Sequence, residues 1–364
     1  MRVDSINIYK FRPIRSGQTH SMLYRAPLLL LIVVFRSGHK HMLFGALLVL
    51  LPLPLVLLAL HFFFKADGDF TLTLKGPTPR EAIADKVVWI IGASQNIGEE
   101  LAKEYARLGA KLILTSRRVN ELERVKAALK GQHAPEDVVV LPGDVSAGIE
   151  QLKELVEKAE AAFGGAGIDI VVQNAACPRP KLSAVDFPDD VLQRTFDVNV
   201  LGVIRITQLL LPGMLRRGKG QFVVVSSVAG KIPSPGQTVY CASKHALNGY
   251  FNSLRAEVLQ RGVKVSVVCP GPINTPRHES ETSEEFLEKR VTVQRCAELI
   301  VRSGGHDLME TWICLQPILF LLYVMQYLPA LGFFVINLIG PKRVKSYNNP
   351  SGVLKMSSLF KKSS

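Results

Sequence analysis

The chain has 364 residues, 48% of them hydrophobic, with 44 Lys and Arg against 31 Asp and Glu and a formal charge of +13. That length buries a substantial core in one large domain or two small ones. The basic excess sits at the two ends and leaves the middle close to neutral. This excludes a nucleic-acid binder, which carries its basic patch on the folded domain. Five scattered cysteines, Cys177, Cys241, Cys269, Cys296 and Cys314, form no CxxC pair, so neither a metal site nor a disulfide framework is expected.

The basic N-terminal segment, residues 1–41, holds Arg2, Lys10, Arg12, Arg15, Arg25, Arg36 and Lys40 against Asp4. Inside it, Ala26–Phe35, "APLLLLIVVF", is too short to span a bilayer. It reads either as an extension ahead of Met42, itself a plausible start, or as a basic, acid-poor transit peptide. Residues 42–64, "MLFGALLVLLPLPLVLLALHFFF", run for 23 residues without a formal charge. At about 1.5 Å per residue they cross a hydrocarbon core of roughly 30 Å, and Pro52 and Pro54 are tolerated inside a span. A cleaved signal peptide is the alternative, but the run is long for one and lacks a small-x-small site. The expectation is a single-pass transmembrane anchor. By the positive-inside rule residues 1–41 face the cytosol and the following domain a lumen. A start at Met42 removes most of that bias.

From Asp85 onward, short β-branched runs alternate with helical patterns. "KVVWII" (86–91), "KLILTS" (111–116), "DVVVLPGD" (137–144), "IDIVVQNAA" (168–176), "GQFVVVSS" (220–227) and "GVKVSVVCPG" (262–271) read as strands. They are nearly continuous apolar runs, as in strands buried on both faces. Between them lie helices such as "IGEELAKEYARLG" and "ASKHALNGYFNSLRAEVLQR". The alternation predicts an α/β fold, a doubly wound parallel sheet, over residues 80–310.

In such a sheet ligands bind beyond the carboxyl ends of the strands. Gly92, Ser94, Asn96, Ile97 and Gly98 follow the first strand and open the first helix, whose N-terminus suits a pyrophosphate. Asn96 stands where glycine is expected, and Asn tolerates the left-handed region. After the second strand, an acidic residue for the ribose hydroxyls is replaced by Ser116, Arg117 and Arg118. Two guanidinium groups there suit a ribose phosphate, although a solvated basic pair is the plainer reading. In "TVYCASKHAL", Tyr240 and Lys244 are four apart and share a helical face. A nearby ammonium favours the phenolate, which allows Tyr240 to shuttle a proton. Ser227 ends the preceding strand, where its hydroxyl can hold a substrate oxygen.

Thr311–Pro341, "TWICLQPILFLLYVMQYLPALGFFVINLIGP", is uncharged and is followed by a basic tail, residues 342–364. Pro329 divides it into two short halves. These read as an interfacial pair on a membrane or as core helices of the domain. A second span is disfavoured by Gln316, Gln326, Asn337 and Pro329.

Together these residues resemble the short-chain dehydrogenase/reductase family over about 85–275. The family's TGxxxGxG reads Ile91-Gly92-Ala93-Ser94-Gln95-Asn96-Ile97-Gly98 here. "GDVS" matches its adenine-contacting segment through Asp144 and Val145. "QNAA" resembles NNAG with Asn174 and Ala175 retained. Asn199, Ser227, Tyr240 and Lys244 match its catalytic tetrad, and "PGPINT" matches PGxxxT, with Thr275 at the nicotinamide carboxamide. The departures, Ile91, Asn96, Gln173 and Ala176, all lie at the cofactor end. The resemblance implies a Rossmann-like fold, NADP(H), cofactor contacts from Tyr240 and Lys244, and substrate contact from Ser227. The anchor, "TSRR" and the apolar C-terminal stretch are similar to its membrane-bound branch. That branch includes 11β-hydroxysteroid dehydrogenase and endoplasmic-reticulum relatives acting on steroids, retinoids and other lipophilic carbonyls. The implied partners are a lipophilic small molecule, membrane lipid and, as an option, a second copy in a homodimer. A rival reading is a catalytically weak or inactive membrane-bound binding or scaffold protein, motivated by Asn96 and the altered "QNAA".

Overall fold

The computed structural model describes residues 56–57, 60, 63–177, 181–275 and 290–348. The chain divides into two units, 1–64 and 65–364. The basic segment 1–41, nearly all of the proposed anchor 42–64 and the tail beyond 348 lie outside the described residues.

All six runs expected to be strands are strands. They are β1 Val87–Ile91, β2 Lys111–Thr115, β3 Val138–Val140, β4 Ile170–Gln173, β5 Gly220–Val225 and β6 Val263–Pro270. Two short strands follow, β7 Ile273–Asn274 and β8 Val291–Thr292, which pair with each other. A last strand, β9 Glu310–Ile313, joins the main sheet, whose order is β3-β2-β1-β4-β5-β6-β9. Every neighbouring pair in it is parallel.

In chain order the helices are α1 Asn96–Arg107, α2 Val119–Ala128, α3 Ile149–Gly165, α4 Asp189–Phe196, α5 Gly202–Arg217, α6 Thr238–Val258, α7 Val293–Gly305, α8 Ile318–Tyr327 and α9 Pro329–Asn348. One face of the sheet is covered by α1, α2 and α7 through Leu101, Tyr105, Leu122, Val125 and Ile300. The other is covered by α3, α5 and α6 through Leu152, Ile206, Leu247 and Phe251. With helices on both faces, every residue of β1 is buried, which explains its unbroken apolar sequence. Strand order reverses between β1 and its two neighbours, so a crevice opens at their carboxyl ends.

The described residues contain one helical run, Asp189–Arg217, long and apolar enough to cross a membrane, and half of it is buried. Val203, Ile206, Leu210 and Met214 pack it onto the sheet, so it is a core element.

The seventh strand takes the first residues of the stretch read above as an apolar extension. Trp312 and Ile313 belong to the core. The free edge of β9 is covered by a turn at Asp69, whose N–H donates to the Trp312 carbonyl at 2.9 Å and whose carboxylate accepts from the Trp312 N–H. The same carboxylate caps the helical turn Phe70–Thr73, accepting from Thr71 N–H at 2.8 Å and Leu72 N–H at 3.1 Å. Covering an edge strand in this way removes an open template for intermolecular pairing. Beyond β9 the apolar stretch does divide at Pro329, into α8 and α9. Leu319 and Leu322 of α8 reach the core.

Candidate active site

The first-loop residues form a tight cradle between β1 and α1. Gly92 has φ +90° and Asn96 has φ +50°, the left-handed region expected of Asn96. A Cβ added at Gly92 would lie 2.8 Å from the Ala175 backbone, and one at Gly98 only 1.9 Å from the Gly92 carbonyl. The loop after β1 is therefore pressed against the loop after β4, and Asn174 Nδ2 donates to the Gly92 carbonyl at 2.9 Å. No side chain caps the first turn of α1; Gly98 N–H donates to the Gln95 carbonyl at 3.1 Å, and the start of such a helix suits an anion. Ile97 is half-buried against the core. This cradle fits a pyrophosphate.

The two arginines divide at the end of β2. Arg118 Nη2 reaches back to the first loop, donating to Ser94 Oγ at 3.1 Å and Gln95 Oε1 at 2.8 Å. Arg117 is more than half exposed, its Nη1 3.9 Å from Asp144 Oδ2. Asp144 also accepts from Ser146 N–H at 2.9 Å and Oγ at 2.7 Å. Burial works to raise its pKa, but those bonds and the nearby arginines hold it below the usual carboxylate range. Val145 is buried, and its carbonyl lies so close to Gly202 that a Cβ there would approach to 1.9 Å. Gln173, one of the departures from the family pattern, is buried in register between Ile91 and Val224.

At the other end of the crevice, Tyr240 and Lys244 lie on α6, both buried. Lys244 Nζ stands 5.8 Å from the Tyr240 ring centroid and donates to the Val225 carbonyl at 3.0 Å. Ser227 follows β5; its Oγ accepts from Ala229 N–H at 3.2 Å and donates to the Pro270 carbonyl at 3.4 Å. Asn199 sits in a π-helical turn, Asp197–Leu201, between α4 and α5. Its Oδ1 accepts from Cys177 N–H at 2.7 Å, and its Nδ2 donates to Ser243 Oγ at 3.0 Å. Ser243 Oγ in turn donates to the Tyr240 carbonyl at 2.7 Å. The loop after β4, the π turn and α6 are thus joined by one hydrogen-bond chain. Thr275, half-buried, follows β7.

Three supporting groups were not singled out from sequence. Ser243 is one, although it lies inside the motif. Arg124 of α2 is another: it grips Glu99 of α1 at 2.7 Å and the Ser94 carbonyl at 3.4 Å. The Arg124 hydrogen bond is the main reason the Glu99 carboxyl falls to about 2. The third is Lys231, four residues past Ser227, paired to Glu310 of β9 at 2.9 Å. The last two pairs are non-local, so no spacing announces them.

Residues 86–285 match the family described as short chain dehydrogenase. "Dehydrogenase/reductase SDR family member 7" of Homo sapiens is 39% identical over 330 residues, covering 86% of this chain and 96% of that relative. "11-beta-hydroxysteroid dehydrogenase-like 3" of Arabidopsis thaliana is 34% identical over 269 residues, covering 73% and 84%. Among solved structures, "ElxO with NADP Bound" shares the fold at a TM-score of 0.57 and 23% identity, over 63% of this chain and 97% of that one. The chain belongs to the short-chain dehydrogenase/reductase family of oxidoreductases.

Proposed function

We propose that the protein is an NADP(H)-dependent oxidoreductase that interconverts a lipophilic carbonyl and its alcohol, a steroid, retinoid or other lipid. The observation that carries this is the buried Tyr240–Lys244 pair, with the ammonium 5.8 Å from the phenol ring, joined through Ser243 and Asn199 to the loop after β4 that packs on the glycine cradle. When bound, the nicotinamide supplies or accepts the hydride. Tyr240 gives its phenolic proton to the substrate oxygen in reduction and takes it back in oxidation. Lys244 places its ammonium beside the phenol ring and holds the ribose. The Ser227 hydroxyl orients the substrate oxygen, and Asn199 supports the proton path from within the π turn. Gly92, Ser94, Asn96, Ile97 and Gly98 hold the pyrophosphate, Asp144, Val145, Asn174 and Ala175 the adenosine side, and Thr275 the carboxamide.

The cofactor preference is supported by Arg117 and Arg118 at the end of β2, where no acid faces a ribose hydroxyl, and by the NADP carried by a structural neighbour. The substrate class is supported by the hydroxysteroid-dehydrogenase-like relatives. Residues 42–64 are proposed as a single-pass anchor in the endoplasmic-reticulum membrane with the catalytic domain lumenal, and the stretch beyond β9 as a membrane-associated substrate entrance. A homodimer is part of the same proposal.

The test is NADPH oxidation by the full chain with a panel of lipophilic ketones. Wild type is expected to turn over at least one. Tyr240→Phe is expected to lose turnover while still binding NADPH, whereas Lys244→Ala loses both. Appreciable turnover by Tyr240→Phe would remove the acid/base assignment. No turnover with any ketone, despite cofactor binding, would favour the binding-protein reading.

A further inference from the structure

Three side chains of α6 reach across to the segment that carries Ser227. Cys241 Sγ donates to the Ala229 carbonyl at 2.9 Å, Lys244 Nζ to the Val225 carbonyl at 3.0 Å and Asn248 Nδ2 to the Gly230 carbonyl at 2.8 Å. Positions 241, 244 and 248 follow one stripe of the helix, at i, i+3 and i+7. In return Ser226 Oγ donates to the Lys244 carbonyl at 3.4 Å. The contact leaves no slack: a Cβ on Gly230 would lie 2.7 Å from Asn248 Nδ2 and 2.8 Å from the Lys244 carbonyl.

Two of those carbonyls belong to the 3-10 turn Val228–Gly230, which Ser227 caps. Ser227 Oγ accepts from Ala229 N–H at 3.2 Å and donates to the Pro270 carbonyl at 3.4 Å. The second bond is long, so the hydroxyl proton turns to another acceptor at little cost. The first lasts only while the turn keeps its shape, and the turn hangs from α6 by its Ala229 and Gly230 carbonyls.

Asn248 is 6% exposed, and its Oδ1 has no hydrogen-bond partner among the described residues. An amide with one end unpaired in the interior costs free energy. What asparagine supplies there, and an apolar side chain of similar size would not, is the bond to the Gly230 carbonyl.

We infer that Cys241 and Asn248 are positioning residues for Ser227. They hang its turn from the helix that carries Tyr240 and so hold the two hydroxyls in one fixed relation. The inference deepens the oxidoreductase reading above and rests on it for the effect on turnover. A carbonyl oxygen that must meet both hydroxyls at once is sensitive to their separation, and a shift of about 1 Å costs on the order of a hundredfold in rate. The hydrogen bonds of Cys241 and Asn248 go to Ala229, Gly230, Ile232, His245 and Cys269, not to the loops after β1, β2 and β4. Cofactor affinity is therefore independent of them.

The experiment uses the full chain in detergent micelles, as wild type, Cys241→Ala, Cys241→Ser and Asn248→Leu. Hydrogen–deuterium exchange of the peptide spanning residues 226–232 reads the grip directly, because released carbonyls loosen the turn. Exchange there is expected to rise in Cys241→Ala and Asn248→Leu, with β1 unchanged, and to stay near wild type in Cys241→Ser, whose hydroxyl is also a donor. Turnover of a ketone that wild type accepts is expected to fall about tenfold in the first two variants and to recover in the third, with NADPH affinity unchanged in all. Unchanged exchange in both Cys241→Ala and Asn248→Leu would overturn the grip. Raised exchange with full turnover would overturn its effect on Ser227, and a parallel loss of NADPH affinity would overturn a role confined to Ser227. A serine variant no better than alanine would overturn the thiol as donor. If Asn248→Leu does not fold, the alanine and serine pair at 241 carries the test. A wild type that reduces no ketone would remove the oxidoreductase reading, while the exchange by itself still upholds or overturns the grip.

Discussion

Arg117 and Arg118 are adjacent in sequence, yet they face different partners. Arg117→Ala is expected to weaken NADPH binding by about 1.5–3 kcal/mol, the worth of one charge-assisted bidentate contact, with NADH nearly unchanged. Arg118→Ala is expected to weaken both cofactors, because Arg118 braces Ser94 and Gln95 of the shared loop. Equal losses from Arg117→Ala, measured by fluorescence titration, would remove the basis for the NADP preference. Asn96 tests the cradle itself. At φ +50°, Asn96→Gly keeps the turn and binds cofactor at least as well. Asn96→Val strains it by about 1–2 kcal/mol and binds worse; a valine variant with unchanged cofactor affinity would refute this. Asn96 was legible because only a few residue types tolerate that conformation. The link through Ser243 was not legible, because a serine inside a helix says nothing about which neighbour its hydroxyl meets.

Six of the seven main-sheet strands could be read as apolar runs, since burial on both faces leaves an unambiguous signature. β9 could not. Its four residues merge with the apolar stretch that follows, and its place depends on β6 on one side and the Asp69 turn on the other. The π turn around Asn199 was equally hidden, because nothing local distinguishes one widened turn from the helix on either side. Asp69 carries the prediction at this scale. Asp69→Ala leaves the N–H groups of Thr71, Leu72 and Trp312 without their acceptor. It is expected to cost about 2–3 kcal/mol, read as a lower midpoint in chemical denaturation. An unchanged midpoint would show that the turn does not hold the sheet edge.

For the whole molecule, the charge distribution separates two basic ends from a near-neutral middle, and the proposed membrane attachment rests on those ends. Deleting residues 1–64 is expected to leave a folded protein that still requires detergent or partly sediments with membranes; a freely soluble product would sink the second attachment. Glycosylation sites engineered on the catalytic domain are expected to be modified, and an unmodified domain would refute the lumenal orientation. The seam between Asp69 and Trp312 has a further consequence for biosynthesis. Its two halves are made at opposite ends of translation, so β6 remains an open sheet edge until residue 313 has emerged. Contacts between segments so far apart in sequence form slowly and leave intermediates prone to association. Nascent chains truncated before β9 are therefore the species that chaperones must hold, and folding is completed by the late arrival of a single four-residue strand.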